Sequence, residues 1–119
     1  MKDLRRLKVW EKAHQLTLAT YQVTAKFPKE EIYGITSQVR RTCVSIPANI
    51  AEGCGREGNA EFSRYLQIAF GSASELEYHF LLAFDLGFIQ KTEFDRMTSQ
   101  IIEVKRMLTG LIQKLKTDR

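Results

Sequence analysis

No stretch of this chain is both long and apolar. Spanning a bilayer takes about 20 consecutive apolar residues, and the 119-residue sequence contains no such run. Its first residues, Met1-Lys2-Asp3-Leu4-Arg5-Arg6-Leu7, lack the apolar core of a secretory signal. The expectation is a cytoplasmic protein with no membrane role. Proline occurs twice and glycine seven times, so long uninterrupted elements are expected. Cysteine is limited to Cys43 and Cys54. On one helix these two would stand roughly 16 Å apart, beyond the ~7 Å between Cα atoms that a disulfide tolerates. They read as small apolar thiols. No second Cys or His lies at ligand spacing from either, so no metal is expected.

What is present is ordinary for one globular domain. The hydrophobic fraction is 44% and the charged fraction 27%, enough for residues 1–119 to build a single core. The pattern is helical throughout, and the expected fold is all-α. Phe94, Met97, Ile101, Val104, Leu108, Leu111 and Leu115 alternate spacings of three and four, a heptad seam. They predict a helix over 93–116, with Thr92 as its cap. Phe62, Leu66, Ala69, Ala73, Leu76, Phe80 and Ala83 predict another over 60–86, between Asn59 as N-cap and Gly87 as terminator. Gly71 inside it costs about 1 kcal/mol against alanine, which calls for a packing reason.

The first helix, over 6–26, carries two stripes. Val9, Ala13, Leu16, Thr20, Val23 and Phe27 form one, and Leu7, Trp10, His14, Leu18 and Tyr21 the other. A bundle helix needs one apolar face. The second stripe is either part of a wide core or a surface for another subunit. The second helix follows Pro28 and ends near Gly53, with Ile32, Ile35, Val39, Cys43, Ile46 and Ile50 on one face. Pro47 lies inside it, lacks an N–H and crowds the Cys43 carbonyl. A kink or break is expected there, with Ser45 or water serving that carbonyl. Short connections favour an antiparallel up-down-up-down four-helix bundle, its second helix kinked at Pro47.

Charge is unevenly placed. Residues 1–12 hold Lys2, Arg5, Arg6, Lys8 and Lys12 against two acids. Residues 103–119 hold Lys105, Arg106, Lys114, Lys116 and Arg119, again against two. Each end thus carries +3 of a net +4, and the middle carries −2. An anionic partner such as RNA or DNA fits this asymmetry, and so does a plain solvated surface. With the outward member of the Arg40-Arg41 pair, Arg41, and with Arg56, these cations are the candidate phosphate contacts. The aromatic residues do not interleave with them, so binding would address the backbone and depend on salt.

Residues suited to catalysis are scattered. Gly53-Cys54-Gly55-Arg56-Glu57-Gly58 spells a dinucleotide-binding pattern but follows a helix rather than a strand. It reads as a helix terminator, with Arg56 free to hold one phosphate at the next helix start. His14 and His79 have no nucleophile partner and read as core-edge residues. Glu75 lies near an apolar stripe and is expected to form a structural ion pair with Arg40 or Arg41. No catalytic residue, metal or cofactor is assigned.

Three blocks resemble a known family. Leu7-Lys8-Val9-Trp10-Glu11-Lys12-Ala13 is similar to its opening signature. Ser45-Ile46-Pro47-Ala48-Asn49-Ile50-Ala51-Glu52-Gly53 resembles its central block, in which Pro47 and Asn49 are read as structural. Ala69-Phe70-Gly71-Ser72-Ala73-Ser74-Glu75-Leu76-Glu77 resembles its third-helix block. The family is that of bacterial four-helix-bundle proteins encoded within intervening sequences of large-subunit ribosomal RNA genes. The resemblance implies a ring-like homopentamer with a central pore and no catalytic residues. It extends distantly to the accessory variability determinant of diversity-generating retroelements, which implies nucleic acid and a reverse transcriptase as partners. The functional expectation is a non-catalytic, homo-oligomeric nucleic-acid-binding protein. The alternative is an assembly scaffold for a partner enzyme such as a reverse transcriptase.

Overall fold

The heptad seams become four helices, α1 (Lys8–Thr24), α2 (Ile35–Cys54), α3 (Asn59–Asp85) and α4 (Lys91–Thr117), in a computed structural model that describes residues 3–118. Short 3-10 turns cover Leu4–Arg6 and Lys29–Glu31. Each helix packs on its chain neighbours and α4 closes against α1, while the diagonal pairs keep their backbones apart. This is the antiparallel four-helix bundle expected, about 47 Å long and 23 by 20 Å across. No strand occurs among the described residues, and none of their helices is long and apolar enough to cross a membrane.

The predicted seams are the core. Val9, Ala13, Leu16 and Val23 of α1, Val39, Cys43, Ile46 and Ile50 of α2, and Leu66, Ala69, Ala73, Leu76 and Phe80 of α3 are buried. They meet Met97, Ile101, Val104 and Leu108 of α4. Thr20, the polar member of the α1 seam, donates to the Leu16 carbonyl at 2.8 Å. A hydroxyl satisfied within its own helix can be buried cheaply.

Helix ends depart from expectation. Asn59 is the first residue of α3 rather than its cap, and Gly58 precedes it with φ 84°. Thr92 lies inside α4, whose cap position is Gln90. Neither end has a side-chain cap. Gly87 does terminate α3. Its φ is 81°, its N–H bonds the Phe84 carbonyl at 3.0 Å, and the Phe88 N–H bonds the Ala83 carbonyl at 2.9 Å. This paired closure needs the left-handed conformation that glycine adopts without strain. Ile32 precedes α2 and is 47% exposed, so it is not part of the buried seam.

The break expected at Pro47 is absent. Helix α2 runs as one element with Pro47 inside it, and no kink is shown. The orphaned Cys43 carbonyl is served from another helix rather than by Ser45. The Thr17 hydroxyl of α1 lies 3.1 Å from it and 2.9 Å from the Ala13 carbonyl, sharing one hydrogen between them. A hydrogen bond contributes about 1 kcal/mol net, against roughly 3 kcal/mol for an interior proline. Burial of the Pro47 ring against the core offsets part of the rest.

Candidate nucleic-acid interface

The central sequence block is a packing device. Ser45 turns toward α3, where its hydroxyl lies 2.9 Å from that of Ser72. Asn49 donates to the Ser45 carbonyl at 2.8 Å and to its hydroxyl at 3.0 Å. Gly53 lets the two helices close together. A Cβ there would stand 2.9 Å from the Tyr65 Cβ and 3.0 Å from Phe62 Cδ1. Ile46 and Ile50 are in the core. Ser45, Ile46, Asn49, Ile50 and Gly53 of the block thus all make contacts inside the bundle.

The expected ion pair of Glu75 with Arg40 or Arg41 does not form. Glu75 is exposed and lies 3.7 Å from His79 Nε2 on its own helix. Arg40 instead donates from Nε to the Thr24 hydroxyl at 2.9 Å, with its guanidinium 4.8 Å from the Tyr21 ring centre. The partners of Arg40 are thus on α1, where a threonine and a tyrosine can be reached without desolvating a carboxylate. His79 is buried, with Nδ1 unpartnered among the described residues. Burial holds its imidazole below the ordinary value, and Glu75 pulls weakly the other way. His14 is not a core-edge residue. It is exposed and stacks on Trp10, ring centres 5.1 Å apart.

Both cysteines are buried and neither is in a disulfide. Burial pushes the Cys43 thiol up to about 11, so it is inert as a nucleophile at neutral pH. Among the described residues, no group of three or more His, Cys, Asp or Glu could hold a metal. The glycine-rich hexapeptide ends α2 with Gly53 and Cys54 and connects it to α3 through residues 55–58. Arg56 is not free for phosphate there, because it bonds Glu52 at 2.7 Å and lies 5.2 Å from the Tyr65 ring centre. Arg64 bonds Glu61 at 3.0 Å and covers the same ring at 4.5 Å.

The remaining predicted cations fall into groups that sequence order does not show. The antiparallel topology brings the start of α1 and the end of α4 to one end of the bundle, so Arg5, Arg6, Lys8, Lys114 and Lys116 share it. All five are exposed. Arg6 approaches Asp3 at 4.0 Å, while the other four have no ion-pair partner among the described residues. Lys12, further along α1, faces Glu103 of α4 at 3.8 Å. Lys105 bonds Glu77 of α3 at 3.0 Å, with its ammonium 5.1 Å from the Phe70 ring centre. Arg106 is exposed on α4 and Arg41 on α2, both away from that end. Lys2 and Arg119 lie outside the described residues. At the opposite end, Lys26 is neutralised by Glu93 at 3.1 Å, and Glu30, Glu31, Asp85 and Asp95 surround the turns. Lys29, Lys91 and Arg96 share that end, and Glu52, Glu57 and Glu61 lie at the other, so charge is only partly sorted along the long axis.

The second stripe of α1 is a surface. Leu18 is 53% exposed and Tyr21 43%, with Trp10 half-buried beside His14. Leu7 and Trp10, at its start, pack partly buried against the core, so the open part of the stripe is His14, Leu18 and Tyr21.

No curated protein matches the chain. A solved structure from Bacteroides thetaiotaomicron, a protein of unknown function from the S23 ribosomal protein family, superimposes with a TM-score of 0.82. It is 24% identical, over 88% of this chain and 95% of that one, a likeness of fold alone. The family model described as 23S rRNA-intervening sequence protein matches residues 5–110. A central block built for helix packing, in a bundle with no assembled catalytic cluster among the described residues, accompanies that match, and the chain belongs to the 23S rRNA-intervening sequence protein family.

Proposed function

We propose that this chain is a non-catalytic, homo-oligomeric protein that binds the phosphate backbone of nucleic acid. The observation that carries the reading is the gathering of Arg5, Lys8, Lys114 and Lys116 at one end without acidic partners among the described residues. Exposed lysines and arginines gain little from each other and much from a polyanion, because each neutralised phosphate releases condensed counterions. The exposed part of the α1 stripe supports self-association, and the family resemblance implies a pentamer. A cytoplasmic setting suits a nucleic-acid partner and two unoxidised thiols.

The test is a gel-shift salt series with a structured RNA and a DNA duplex, on the wild type and on Arg5→Glu with Lys8→Glu and Lys114→Glu. Wild-type affinity should fall with salt, with a slope of about 0.7 to 0.9 per phosphate contacted. The triple variant should lose most of that slope. Absent or salt-independent wild-type binding would overturn the reading. Light scattering on the same samples should give a multiple of the 13.7 kDa chain mass, and Leu18→Glu with Tyr21→Glu should reduce it. A second reading, a protein-assembly scaffold without a direct nucleic-acid role, draws on a separate feature, an exposed apolar groove between α3 and α4.

A further inference from the structure

We infer that the outer groove between α3 and α4 is a docking site for an acidic amphipathic helix of a partner protein. Three adjoining hollows run along this groove, past Tyr78 and Leu81, then Phe70 and Ile102, then Gly71 and Ile112. Its floor is apolar. Its α4 side carries Lys105, Arg106 and Lys116. Glu77 neutralises Lys105, whereas Arg106 and Lys116 have no acidic partner among the described residues. An apolar floor flanked by unpaired cations complements a helix with leucine-like residues on one face and carboxylates beside them.

Gly71 gives the second observation. It lies inside a 27-residue helix, where glycine costs about 1 kcal/mol against alanine. Nothing stands within 4 Å of the Cβ it lacks. The packing reason that the sequence calls for is therefore not within the chain. A missing side chain on a groove wall is what a closely approaching backbone requires. That favours a helix over nucleic acid. The sequence pointed to phosphate for Lys105 and Arg106; the groove gives them carboxylates instead.

The probe is a fluorescein-labelled designed peptide of about 18 residues, roughly 27 Å as a helix, with leucines at every third or fourth position and glutamates elsewhere. A control peptide replaces every glutamate with lysine. Fluorescence anisotropy with the full chain should give saturable binding of the glutamate peptide and at least ~10-fold weaker binding of the lysine peptide. Gly71→Leu fills open space and should leave the fold intact by circular dichroism, yet weaken the glutamate peptide by ~5-fold or more. Arg106→Glu with Lys116→Glu should weaken it by ~10-fold or more and raise affinity for the lysine peptide. Equal binding of both peptides, or indifference to Gly71→Leu, would overturn the inference. So would loss of oligomer mass in Gly71→Leu, which would make the occupant a second copy, or loss of RNA binding in that variant, which would make the groove a nucleic-acid site.

Discussion

Thr17 and Pro47 stand on different helices and answer to one carbonyl. Proline removes the N–H that would bond the Cys43 carbonyl, and Thr17 supplies the replacement from α1. Thr17→Val should therefore destabilise the chain by about 1 to 2 kcal/mol in urea denaturation, because a buried carbonyl loses its donor. In a Pro47→Ala background the backbone N–H is restored, and Thr17→Val should cost measurably less. Purely additive costs would show that the two residues are uncoupled. His79 is the other residue-scale case. Its folded pKa is depressed, so the unfolded chain takes up the proton first as pH falls below the ordinary 6.5. Stability should be full above that value and decline as pH falls below it, and thermal melts of His79→Gln should lack this part of the decline. The sequence showed proline's defect but not its remedy. That Thr17 faces Cys43 depends on the rotation of α1 against α2, which no spacing within either helix encodes.

At the scale of elements, two glycines with the same intrinsic cost behave oppositely. Gly53 lies where α2 and α3 nearly touch, and Gly71 lies over open space. Gly53→Ala should destabilise by about 1 to 3 kcal/mol through overpacking, while Gly71→Ala should stabilise by about 0.5 to 1 kcal/mol through helix propensity. Thermal denaturation of the two variants reads both signs at once. The buried seams were legible because a 3.6-residue period is written into each helix separately: Phe62 to Ala83 are buried where their spacing put them, as are Met97, Ile101, Val104, Leu108 and Leu115, with Phe94 and Leu111 only partly covered. The helix starts were not. Asn59 and Thr92 have the chemistry of caps, but each entered the first turn, and local capping gains of about 1 kcal/mol yield to tertiary packing. Glu75 misled for a similar reason. One step of 100° around a helix separates a seam position from an exposed one, and Glu75 falls on the exposed side.

For the whole molecule, the sequence located the basic termini but not their partners. Lys12, Arg56 and Lys105 were indistinguishable from the rest until Glu103, Glu52 and Glu77 were found beside them. Those pairings depend on antiparallel register between helices, or on one helical turn at the α2 terminus. Arg5, Lys8, Lys114 and Lys116 remain unpaired at one end of a body 47 Å long and little more than 20 Å wide. A rod charged at its tip meets a polyanion tip-first. Each chain would then cover at most its own width, about 23 Å, or roughly seven base pairs of duplex at 3.4 Å per step. Its long sides would stay clear of the nucleic acid, so chains could stand side by side like pickets, with their α3/α4 grooves still open to protein.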